Sequence, residues 1–82
     1  MTKRQKLLAR MRANPRGDYT IENLKAIAEH YGIIFRQPGT SHVTFSHPRR
    51  PEILTVPARR PIKPIYIKNF IAFIEEIEHE KD

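Results

Sequence analysis

The sequence predicts an α+β domain, in which helices cover one face of a three-stranded antiparallel sheet and leave the other face open. Three observations predict it. Residues 20–31 carry apolar side chains at helical spacing. Residues 33–56 hold three short, β-rich runs separated by turn residues. Residues 65–78 return to helical spacing. The chain has 82 residues, which allows one globular unit with a small core. A deep cleft between two lobes is excluded, so any chemistry occurs on a shallow surface.

Residues 2–13 read as a first helix. Thr2 with Gln5 three positions later matches a capping box. Leu7, Leu8 and Met11 form a narrow apolar stripe among basic residues, for packing or for a partner. Asn14-Pro15-Arg16-Gly17-Asp18 is a connector rich in breakers. Residues 1–17 thus form a basic helix and connector ahead of the main unit, residues 18–82. Thr20 is the N-cap of the second helix and Glu22 lies in its first turn. Ile21, Leu24, Ile27, Ala28 and Tyr31 form its apolar face, and Gly32 is its C-cap.

The first strand is assigned to residues 33–37, followed by the Pro38-Gly39-Thr40 turn, and the second to residues 41–47. His47 to Pro51 reads as a loop stiffened by two prolines, and residues 52–56 as the third strand, ended by Pro57. Residues 57–64 contain three prolines and form a stiff basic loop. Pro64 stands at the start of the last helix, expected over 65–78 with Ile67, Phe70, Ile71, Ile74 and Ile77 facing the core.

Charge narrows the partners. The net charge is +6, from 15 Lys and Arg against 9 Asp and Glu. Basic residues fill the first helix and acids fill the tail, as Glu75, Glu76, Glu78, Glu80 and Asp82. The tail reads as a solubilising helix end or a screen for the basic surface of another copy. A basic surface points to nucleic acid or to an acidic protein. There is no cysteine, hence no disulfide framework or thiolate metal site. That fits a cytoplasmic location. No apolar stretch has membrane-spanning length, and the basic N-terminus lacks the apolar region of a signal peptide.

Strand parity separates Val43 and Phe45, on the core face, from His42, Thr44 and Ser46 on the open face. Imidazole has a reference pKa of about 6.5, and histidine is the side chain best suited to proton transfer near neutral pH. RNA brings its own nucleophile, the ribose 2′-OH. A histidine on a basic open face can take that proton, leaving a 2′,3′-cyclic phosphate and a 5′-hydroxyl; the competing reading of His42 is a solvent-exposed strand histidine with no role. Arg36, Arg59, Arg60 and Lys63 can hold phosphates or stabilise transition-state charge; the competing reading for each is ordinary solvated charge. Ser41 and Thr44 can hydrogen-bond phosphate or orient His42. For Ser41 the competing reading is turn chemistry, and for Thr44 it is β-propensity. Arg49 and Arg50 divide evenly between RNA contact and solvated charge. His47 has core-face parity and reads as a strand-end residue. His30 lies at a helix end and His79 in the acidic tail. The four histidines lack metal-ligand spacing, so neither metal nor cofactor is expected.

Residues 32–57 resemble the HicA family of toxins from bacterial toxin–antitoxin systems. The resemblance lies in the run Ile33-Ile34-Phe35-Arg36-Gln37, a glycine turn, Ser41-His42-Val43-Thr44-Phe45, and a strand ending in Val56-Pro57. With the flanking helices it spans residues 20–78. It implies a fold like a double-stranded-RNA-binding domain, order α-β-β-β-α, with the first helix an addition. It implies the toxin of a type II system, a metal-independent endoribonuclease acting on messenger RNA with His42 in proton transfer. It also implies a HicB-type antitoxin partner covering the histidine face. Two features differ from the family pattern. The turn reads Gly-Thr-Ser-His rather than Gly-Ser-His, and Arg59 stands where many members carry a second histidine. The alternatives are a non-catalytic RNA-binding module of the double-stranded-RNA type, with Lys63 and Lys68 at the start of the last helix, and a protein-interaction domain.

Overall fold

The computed structural model describes residues 2–39 and 41–80. Thr40, which belongs to the expected turn, and Asp82 of the acidic tail lie outside the described residues. Six elements follow in order: α1 (Lys3–Ala13), α2 (Ile21–His30), β1 (Ile34–Arg36), β2 (His42–His47), β3 (Arg50–Pro57) and α3 (Pro64–Glu80). The strands form one antiparallel sheet in the order β1-β2-β3. Helix α2 packs beside β1, α3 beside β3, and α1 lies against both helices. The α+β architecture with an open three-stranded sheet is therefore as expected.

Local chemistry sets the element boundaries. At the start of α1, Thr2 Oγ1 accepts from the Gln5 amide and the Gln5 side chain accepts from the Thr2 amide. Thr20 and Asn23 build the same reciprocal cap on α2. Gly32, at φ 70°, ends α2. Its amide donates to the Glu29 carbonyl, and the Ile33 amide donates to the Ala28 carbonyl at 2.9 Å. This is a Schellman ending. It explains why β1 begins at Ile34 and not at residue 33, since the Ile33 amide is already used by the helix.

β3 is longer than the sequence suggests. It begins at Arg50 and runs to Pro57, so only Pro48 and Arg49 remain as the turn after β2. Both Pro51 and Pro57 are accommodated because β3 is an edge strand, where a missing amide need not break the ladder. Register also shifts between Phe45 and His47, giving β3 extra residues opposite β2. α3 extends two residues past the expected end, to Glu80.

The core is continuous. Leu8 and Met11 of α1, Tyr19, Leu24 and Ile27, Val43, Phe45 and Val56, and Ile67, Phe70, Ile74 and Ile77 are buried in one cluster. Phe45 stands edge-on to Phe70 with ring centroids 5.3 Å apart, so the central strand is keyed directly onto α3. The acidic end of α3 pairs within the molecule. Arg12 meets Glu75 and Glu78, and Arg50 meets Glu76 at 2.7 Å and Glu52 at 3.1 Å. These contacts tie α1 and β3 to α3. Among the described residues no helix is long and apolar enough to cross a membrane.

Candidate functional site

The sheet register builds the site. Ladder partners in an antiparallel pair share a face. Val43 pairs with Val56, and Phe45 with both Phe35 and Leu54, on the covered face. His42 pairs with Pro57 on the open face. The next open-face row is Arg36, Thr44 and Thr55, and Ile34 and Ser46 pair in the row after that. The parity argument thus places His42 correctly. It is exposed at the first residue of β2, whereas Val43 and Phe45 are fully buried. Two exposed isoleucines, Ile34 at 50% and Ile53 at 66%, lie at the far end of the sheet from His42.

The backbone around His42 is fixed on both sides. The Ala58 amide donates to the Ser41 carbonyl at 2.8 Å, which extends the β2–β3 ladder one step past His42 and Pro57. Ser41 is exposed, and its backbone role is this bond. Thr44 Oγ1 makes a long 3.5 Å contact to the Arg36 carbonyl. At the other end of β2, His47 Nδ1 accepts from the Arg49 amide at 3.1 Å. It closes the tight turn into β3, a structural part in keeping with its expected strand-end place.

The basic loop after β3 borders a cavity of about 330 Å³ lined by Pro57, Arg59, Arg60, Pro61, Lys63 and Tyr66. The loop is anchored to the connector before α2. Arg60 donates to Asp18 through Nε at 3.1 Å and Nη2 at 2.8 Å. The Ile62 amide donates to the Tyr19 carbonyl at 3.0 Å. Asp18 is held below the ordinary aspartate range, chiefly by these hydrogen bonds from Arg60, and Arg60 is raised in turn.

The predicted cations therefore differ in availability. Arg60 is engaged by Asp18, and Arg50 by Glu52 and Glu76. Arg36, Arg59 and Lys63 are exposed and make no ion pair among the described residues. Arg59 and Lys63 share the cavity, and Arg36 lies one open-face row from His42. Two contributions escaped the sequence reading. Tyr66 lines the cavity from the first turn of α3 while packing against the core. Pro57 serves both as ladder partner of His42 and as cavity wall. The available signal was an aromatic residue two positions after the basic proline loop. Among the described residues, no three His, Cys, Asp or Glu side chains gather as metal ligands would.

No family model, curated protein or solved structure matches this chain.

Proposed function

We propose that this protein is an endoribonuclease that cleaves single RNA strands on its open sheet face, with His42 as the proton-transfer group. The observation that supports the reading is the placement of an exposed His42 beside Pro57, a residue that also lines the cavity carrying Arg59 and Lys63. The reaction needs few parts. His42 takes the proton of the ribose 2′-OH, the 2′-oxygen forms a bond to phosphorus, and the P–O5′ bond breaks. Water protonates the departing 5′-oxygen. Arg36, Arg59 and Lys63 offset the charge gathered on the phosphorane. A shallow open face is enough because the polymer itself brings the nucleophile.

In this reading the order α2-β1-β2-β3-α3 is that of a double-stranded-RNA-binding domain put to catalytic use, as the likeness to HicA toxins implies. The substrate is messenger RNA, the setting the cytoplasm, and the natural regulator a HicB-type antitoxin seated over His42. The test is cleavage of a labelled single-stranded RNA by the wild type and by His42→Ala, with a DNA of the same sequence as control. A general base contributes about 10²–10⁴-fold. Cleavage should fall by that factor in His42→Ala while RNA binding is kept, the products should end in 2′,3′-cyclic phosphate, and the DNA should stay intact. Equal cleavage by both proteins refutes the role of His42. Undiminished binding with no cleavage by either supports the RNA-binding module instead.

A further inference from the structure

The cavity at the start of α3 is chemically richer than a phosphate clamp. A clamp needs only cations, yet three of the six lining residues are Pro57, Pro61 and Tyr66. Each of these carries a largely apolar ring. The cations that line the same space divide into Arg60, fixed to Asp18, and Arg59 and Lys63, which have no ion pair among the described residues. Among the described residues, no acidic one lines it. A ligand that satisfies both halves has a flat apolar body and an anionic edge. The cavity volume, about 330 Å³, stands at the small end of the range for small-ligand sites.

We propose that this cavity is a subsite for one unpaired nucleotide of RNA, with the base stacked on Tyr66 and the adjoining phosphate held by Arg59 and Lys63. The placement rests on the reading of His42 given above, because Pro57 joins the two. It faces His42 across the ladder and walls the cavity, so a base seated there belongs to the nucleotide beside the scissile phosphate. The loop anchors explain how the subsite is preformed. Asp18 and the Tyr19 carbonyl hold Arg60 and Ile62 in place, which fixes the loop between Arg59 and Lys63. Stacking on an aromatic side chain requires a base free of its own helix. The substrate class is therefore single-stranded or looped RNA, and a continuous duplex is rejected.

Binding measured without cleavage tests this. A short, fluorescein-labelled single-stranded RNA, 2′-O-methylated so that no residue can cleave it by 2′-attack, is titrated into His42→Ala protein, and into the same protein carrying Tyr66→Phe, Tyr66→Leu or Tyr66→Ala. Tyr66→Leu keeps an apolar side chain against the core and removes the π face together with the hydroxyl, and Tyr66→Phe controls for the hydroxyl. Affinity should hold in Tyr66→Phe and fall about tenfold or more in Tyr66→Leu and Tyr66→Ala. A single abasic position moved along the RNA should reproduce that loss at one site. At that site the two losses should not add, which marks direct contact. Unchanged affinity in folded Tyr66→Leu, additive losses at every position, or equal binding of a blunt duplex overturns the subsite. The two proposals fail separately. If His42→Ala still cleaves but the coupling to Tyr66 is found, the subsite stands and the catalytic reading falls. If cleavage depends on His42 but no coupling appears, the reverse holds.

Discussion

Replacing Gly17 by alanine tests how the connector holds the molecule together. A Cβ at Gly17 would lie 2.9 Å from both Cζ and the hydroxyl oxygen of Tyr19, and 3.1 Å from its Cε2. Ordinary carbon contacts begin near 3.5 Å, so the ring must retreat by roughly 0.6 Å. It has little freedom to do so. Tyr19 is 1% exposed, and its hydroxyl reaches the Asn14 carbonyl at 2.7 Å and the Arg10 carbonyl at 3.1 Å, closing the end of α1. Overpacking of this kind costs about 1–3 kcal/mol. The loss of glycine's freedom in the unfolded chain offsets about 0.4–1 kcal/mol of it. The net expectation is a loss of about 1–2 kcal/mol, which for a domain of this size lowers Tm by roughly 5–15 °C. Thermal and urea melts followed by circular dichroism measure it. The Tyr19→Phe variant removes one of the two closest contacts and the hydroxyl hydrogen bond, at about 1 kcal/mol. In that background Gly17→Ala should cost distinctly less. A Gly17→Ala protein as stable as the wild type, or a cost undiminished by Tyr19→Phe, refutes the reasoning.

Two further predictions concern the same anchors. Gly32→Ala meets no atom within 4 Å, so its cost is the left-handed backbone alone, about 1–2 kcal/mol. A neutral result in urea melts would mean that α2 can end without the Schellman turn. Asp18→Asn should remove a stability term present above the unfolded aspartate pKa of about 3.9 and lost as pH falls through the lower folded value. The difference between wild type and variant should thus be flat from neutral pH to about pH 4 and shrink below it. A difference that stays constant below pH 4 as well would show that the Asp18–Arg60 pair does not link folding to protonation.

Much of the fold was legible because its signals are local. Helical spacing marked α2 and α3, and Thr2, Thr20 and Gly32 marked helix ends, because a cap is chemistry among residues three or four apart. Alternation assigned Val43 and Phe45 to the core and His42 to the open face, because a strand turns each side chain over at every step. The proposed role of His42 followed from that face together with a resemblance in residues 32–57. The limits of β1 and β3 were less legible. Ile33 could not be removed from a strand without the Ala28 carbonyl, and Pro51 could not be admitted to one without knowing that β3 lies at the edge.

The sequence by itself determined the element order, the two faces of β2 and the positive charge of the molecule. Only the tertiary structure decided which charges are free. Arg60 and Asp18 lie 42 positions apart, and Arg12 meets Glu78 across 66 positions, so their pairing depends on how the elements pack. The same packing makes Pro57 both the ladder partner of His42 and, with Tyr66, part of the lining of one cavity. Spacing along the chain governs helices, caps and strand faces. A site assembled from a strand end, a loop and the first turn of a helix exists only once those elements have met.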